Sequence, residues 1–302
     1  METDTEINNN QIENSLDQQT QIEMGPKHES TLYAEPIAHI GSFPVTNALL
    51  TSWIAVFLII IISISLRRKI REIPKGIQNI FEIIVDGALS LCDQITNNRK
   101  ISNRVFPMAI SIFFFVLINN WLGILPFGGF GLIESGEGES VFIPFIRSGT
   151  ADINTTLALS VMTVIGSNIF GVVVIGLWKI FNKYVNLVSL GQIFTKVRKD
   201  PTILVVAPIN AFVGALELIG EMAKVASLSF RLYGNVFAGE VLLLSMSALL
   251  PYILPIPFLF LEIFVGLIQA FIFSVLLVVY FTIAAQDHTE EHGHDEQHAH
   301  AV

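Results

Sequence analysis

Between Val213 and Glu240 one apolar run carries Glu217, Glu221, Lys224, Arg231 and Glu240. A charge at bilayer depth costs about 2.5–3.5 kcal/mol on insertion scales. Several in one hydrophobic segment need a reason, and ion passage supplies one. Arginine stays protonated and has no acceptor, so Arg231 relays no proton. It can draw a carboxylate out of a proton-bound state. Carboxylates such as Glu240 and Glu262 can load and release protons. A site holding both kinds suits acids that exchange protons while passing a fixed cation.

A helix turns about 100° per residue. From Glu217 the steps to Glu221, Lys224, Arg231 and Asn235 are four, three, seven and four, which places them on one broad stripe. Glu240 stands nine residues beyond Arg231, so it faces roughly the opposite way. Glu262, Gln269 and Tyr280 share a face of the last apolar segment, at steps of seven and eleven. Pairing the two helices can bring Gln269 toward Arg231.

Blander roles compete at each position. Arg231 can be half of a buried structural ion pair, although an intramembrane charge favours function. Glu217 and Glu221 can sit at an interface; Glu217 is the preferred of the two for an ion path. Lys224 reads better as a snorkelling or pairing residue. Asn119 and Asn154 can satisfy helix backbones or caps. Tyr280 fits an interfacial belt. His288, His292, His294, His298 and His300 have spacings that can hold a metal, but in an acidic tail the solvated reading is preferred and no metal is assigned.

The elements that must position these groups follow from composition. The chain has 302 residues, 52% hydrophobic and 14% charged, whereas soluble domains carry about 25% charge. This is an all-α polytopic membrane protein. Residues 1–46 form a polar acidic tail, expected to be disordered except for a short ordered lead-in at Pro36–Pro44. Residues 47–286 form the membrane domain and 287–302 a His- and acid-rich tail. Apolar spans are expected at 47–66, 105–125, 153–178, 202–250 and 258–284, and an amphipathic interfacial helix at 75–96. Pro251, Pro255 and Pro257 separate the last two spans, and Gly234 can bend the longer one. These two segments exceed what an upright crossing needs, so they form an oblique tilted hairpin. A Gly-rich acidic loop occupies 126–146.

Basic residues concentrate in 67–104 and 179–199, which places both stretches and the C-terminus in the cytoplasm and the N-terminus outside. The single cysteine, Cys92, allows no intrachain disulfide. The net charge of −9 resides mostly in the tails, and nucleic acid is not an expected partner. No phosphate-cradling loop or nucleophile motif argues for an enzyme. A secondary transporter is the competing class, but the internal repeats that would favour it are not evident.

RLYGNVFAGE (231–240), IQAFIFSVLLVVYFTIA (268–284), ADINTTLALS (151–160) and PINAFVGALELIGE (208–221) together resemble the a subunit of F-type ATP synthases. The resemblance covers roughly residues 45–286. It implies a stator subunit of the Fo sector, in a bacterial inner membrane, working against a c-ring with peripheral-stalk b subunits and needing no cofactor. It implies that Arg231 faces the ring and separates two aqueous half-channels. Asn235, Glu240, Glu262 and Gln269 match channel-lining positions, and Glu217 matches an acid toward the cytoplasmic exit. Asn119, Asp152 and Asn154 match the external access path. The sequence departs from the common pattern at Val225, where a proline is frequent, and at Asn119–Gly123, which lacks an acid many relatives carry.

Overall fold

A computed structural model describes residues 34–69, 76–124, 131–136, 139–180, 203–251 and 253–286. The first 33 residues, the basic stretch 181–202 and the His-rich tail lie outside these. The ordered lead-in is an antiparallel hairpin, β1 (Pro36–Ile40) and β2 (Phe43–Thr46). It turns at Gly41, whose φ of 67° suits a residue without Cβ. Asn47 then opens α1 (Asn47–Lys69). The amphipathic α2 (Ile77–Thr96) follows, ending on Asn97 in a left-handed conformation.

Helix α3 (Arg99–Ile124) starts six residues before the expected span. Arg99, Lys100 and Arg104 form its first turns rather than a connecting loop, since long cationic side chains can leave a helix end for water. The Gly-rich acidic loop contains an unforeseen second hairpin, β3 (Gly131–Gly136) with β4 (Glu139–Pro144). Its glycines obscured the strand pattern. A 3-10 turn at Gly149–Ala151 leads into α4 (Ile153–Ile175).

Helix α5 (Ile203–Leu249) runs unbroken through Gly234. Its 47 residues would extend about 70 Å, against a hydrocarbon core about 30 Å thick. In a bilayer it must tilt steeply. Helix α6 (Pro255–Ala285) begins earlier than expected. Pro255 and Pro257 belong to its first turn instead of the break, because that turn has no intrahelical use for their missing N–H groups.

Five helical stretches among the described residues are long and apolar enough to cross a membrane: Asn47–Arg68, Arg99–Ile124, Ile153–Ile175, Phe212–Leu249 and Pro255–Ala285. α3 packs along α6, and α4 lies against both α5 and α6. Val105, Ala109, Ile112 and Val116 give α3 a buried stripe at helical spacing, facing Phe273, Leu277 and Phe281 of α6. α4 buries Thr156, Ser160, Thr163, Ser167 and Gly171, small residues that let backbones approach closely. A Cβ on Gly171 would lie 2.6 Å from the Ala284 carbonyl oxygen of α6. Outward-facing Trp53, Phe57, Ile60, Ile169, Phe260 and Phe264 remain exposed, as a lipid-facing surface requires.

Candidate functional site

The functional side chains divide along α5. Arg231 lies on an exposed face, between buried Leu228 and Leu232. Among the described residues no acid forms an ion pair with it. The structural-pair reading therefore finds no partner there.

Toward the C-terminal end of α5, a cavity of about 180 Å³ opens between α3, the 144–148 segment, α5 and α6. Asn235, Glu240 and Glu262 all border it. Nine residues of helix turn Glu240 about 180° from Arg231, so the one faces into the bundle and the other out of it. Glu262 reaches the cavity from α6, and its carboxylate overlies Gly239, where a Cβ would collide with both of its oxygens.

A residue not singled out in the sequence completes this cluster. Arg147 donates from Nε at 3.2 Å and from Nη2 at 3.0 Å to Oε2 of Glu240. Arg147 is 5% exposed and Glu240 20%. Arg147 was hidden because a loop cation carries no periodicity. The available signal was its isolation: it is the only cation in residues 126–152, beside four acids.

Asn119 and Asn120 of α3 form the buried floor near this cavity. Ser52 donates to Asn119 Oδ1 at 3.4 Å, and Asn119 Nδ2 donates to the Phe115 carbonyl at 2.9 Å. Ser148 Oγ donates to the Asn119 carbonyl at 3.2 Å. Asn120 joins two other elements, donating to the Gly266 carbonyl at 3.2 Å and accepting from Thr150 Oγ1 at 2.6 Å. Asp152 caps α4, accepting from the Asn154 backbone N–H at 3.2 Å, from Asn154 Nδ2 at 3.3 Å and from Thr155 Oγ1 at 3.1 Å. Asp152 and Asn154 thus meet each other in a helix start, without bordering the cavity.

Toward the N-terminal end of α5, Lys224 Nζ donates to Glu221 Oε1 at 2.6 Å and lies 5.4 Å from the centre of the Tyr280 ring. Asn168 of α4 donates to Glu221 Oε2 at 3.3 Å. Lys224 is therefore a pairing residue. Glu217 lies one turn further along, partly exposed. Gln269 is buried, its Nε2 has no hydrogen-bond partner among the described residues, and no hydrogen bond joins it to Arg231. The expected approach of Gln269 to Arg231 is not a contact among the described residues.

The arrangement offers two carboxylates bordering a small, mostly apolar cavity, a second ionic cluster, and between their levels an exposed cation with no ion pair among the described residues. A family model described as ATP synthase A chain matches residues 49–282. The chain is 31% identical over 279 residues to ATP synthase subunit a of Mycobacterium bovis, covering 90% of this chain and 97% of that relative. It is 30% identical over 262 residues to ATP synthase subunit a of Syntrophobacter fumaroxidans, covering 86% and 91%. ATP synthase subunit a of Mycobacterium leprae is 30% identical over 282 residues. The chain belongs to the ATP synthase A chain family, multi-pass membrane components of the Fo sector with a proton-channel role in ATP synthesis.

Proposed function

We propose that this chain is the stationary half of a rotary proton path, with two aqueous half-channels that meet the c-ring on either side of Arg231. The single observation that supports this most is the spacing along α5. Arg231 stands exposed ten residues after Glu221 and nine before Glu240, about 15 Å and 14 Å along the axis. Each of those acids belongs to a separate polar cluster. Two access routes ending on opposite sides of one fixed cation are what a rotary transfer needs.

In this reading a proton enters from outside through the cavity of Asn235, Glu240 and Glu262, with Asn119, Asp152 and Asn154 on the approach. It neutralises a carboxylate of the ring, which can then face lipid. After rotation another ring carboxylate meets Arg231, loses its proton, and the proton leaves past Glu217 to the cytoplasm. Gln269 lines the same region from α6. Arg231 prevents a direct leak. Each elementary charge moved yields about 2.3 kcal/mol per 100 mV. The basic ends Arg67, Arg68, Arg99, Lys100, Arg104 and Lys179 favour a cytoplasmic face there, with the N-terminus outside and the C-terminus inside. Peripheral-stalk b subunits hold the chain against rotation.

The test is Arg231→Ala in the reconstituted complex, read by ATP-driven proton pumping. Loss of coupled pumping is expected. Full coupled pumping by this variant would end the reading.

A further inference from the structure

We infer that Thr156 and Ser229 are positioning residues for Arg231: the hydrogen bond between their hydroxyls, on the opposite side of α5 from Arg231, fixes the rotation of that helix where the cation stands. This rests on the proton-path reading above and concerns what keeps its cation aligned.

Ser229 stands two residues before Arg231. Two residues turn a helix by about 200°, so the pair lies on nearly opposite sides of α5. Ser229 is 2% exposed, and Thr156 of α4 is fully buried. Counting protons assigns the donor. Thr156 Oγ1 donates its one hydrogen to the Ile153 carbonyl at 3.1 Å, so Ser229 Oγ donates to Thr156 Oγ1 at 3.2 Å. A helical serine commonly bonds back to its own helix four residues earlier; this one reaches another helix. Its acceptor is well anchored. Thr156 belongs to the first turn of α4, its backbone N–H donates to the Asp152 carbonyl at 3.2 Å, and the Asp152 side chain caps the same turn.

Packing alone leaves this side of α5 loose. Leu228 and Leu232 join the core with α3 and α6. Toward α4 a cavity of about 340 Å³ intervenes, bordered by Ile153 and Leu157 of α4 and by Met222, Val225 and Phe230 of α5. Ser229 is the only polar residue bordering it among the described residues. Side chains beside a void lack the interlocking contacts that would resist a roll of the helix. A roll of about 20° carries a group about 5–6 Å from the axis through about 2 Å, and misplacements of that order are costly at a reacting centre. The Asn168–Glu221 bond also joins α4 to α5, but Glu221 lies ten residues before Arg231, about 15 Å along the axis. The hydroxyl pair is the tie at the arginine's own level.

The experiment uses the complete complex in vesicles, normalised to the amount of this chain by immunoblot. Ser229→Val, Ser229→Thr, Thr156→Val and the double variant Thr156→Val/Ser229→Val are compared. Threonine and valine match in shape, the adjoining cavity can take the added methyl, and only the hydroxyl differs. Two quantities are read: protons pumped per ATP hydrolysed, and passive proton conduction without ATP. Ser229→Val and Thr156→Val are each expected to lower the pumping ratio by about two- to tenfold, the population shift that one hydrogen bond controls, and to raise passive conduction. Ser229→Thr is expected to keep the ratio. The double variant is expected to fall no further than the singles, because all three remove the same bond. If the valine variants at 229 fail to accumulate, Ser229→Ala, which adds no volume, replaces them under the same criteria. A Ser229→Val ratio equal to that of Ser229→Thr overturns the assignment. So does a double variant whose loss is the product of the single losses, and so does a fall in pumping and conduction together, the mark of a merely structural defect. Arg231→Ala, run alongside, separates the two levels. Full coupled pumping there defeats the proton-path reading, whereas loss there with unchanged hydroxyl variants defeats only this assignment.

Discussion

The carboxylate of Glu262 occupies the space that a methyl group on Gly239 would need. The two residues belong to different helices, and the absence of one Cβ lets an acid of α6 lie on the backbone of α5. Glycine here leaves room for the carboxylate end of a flexible side chain rather than serving backbone conformation, since Gly239 is an ordinary helical residue.

Gly239→Ala is therefore expected to displace Glu262 and lower proton pumping by about ten- to hundredfold, the scale on which small misplacements act. Gly87→Ala in α2 is the control, because nothing lies within 4 Å of its Cβ position. It should pump normally and stabilise the chain by about 0.5–1 kcal/mol. Pumping rates of the complex in vesicles decide the matter; equal rates for the two variants would remove Gly239 from the argument.

Much of this site was legible along single helices. A period of 3.6 placed Arg231 and Glu240 on different faces, and they do face outward and inward. The same period placed Glu221 and Lys224 within reach, and they pair. It carried no information about partners far along the chain. Arg147 and Glu240 are 93 residues apart, and Glu262 meets Gly239 only because α5 and α6 fold back on each other. The early start of α3 was missed because Arg99, Lys100 and Arg104 look like a loop, although a helix end can carry them to water. The hairpin at 131–144 was missed because its strands are short and glycine-bounded.

The corner between α2 and α3 supplies a pH test outside the spans. Asp93 pairs with Arg99 across it, and Thr96 and Ser102 bring their hydroxyls to 2.5 Å. The Ser102 hydroxyl, reinforced by Arg99, holds the Asp93 carboxyl below its ordinary value of 3.8 against the opposing effect of burial. A depressed carboxylate stabilises the fold above that ordinary value, and the contribution drains away as pH falls through the lower folded value. Hydrogen exchange at residues 93–102, followed from about pH 5 to about pH 3, should show the corner loosening. Asp93→Asn should flatten that slope. An unchanged slope in the variant would show that Asp93 does not hold the corner.

Asn120 makes the strongest demand on the interior. Its Nδ2 and Oδ1 reach two different elements, Gly266 of α6 and Thr150 of the 3-10 turn, and it is 2% exposed. A Cβ on Gly266 would lie 3.2 Å from the Asn120 Cβ, so α3 and α6 touch at this level. Asn120→Leu would fill similar volume but strand the Thr150 hydroxyl and remove the tie to Gly266. An unsatisfied buried group costs about 1–3 kcal/mol, and Thr150 still has Ser148 as a neighbour at 2.7 Å, so the lower half of that range is expected. Asn120→Asp keeps the acceptor for Thr150 but loses the donor to Gly266, and adds an acid near Glu262. It should destabilise the chain at least as much as Asn120→Leu. Thermal denaturation of the detergent-solubilised complex checks both variants. If Asn120→Leu melts with the wild type, Asn120 is not the tie that fixes α6 to the cavity floor.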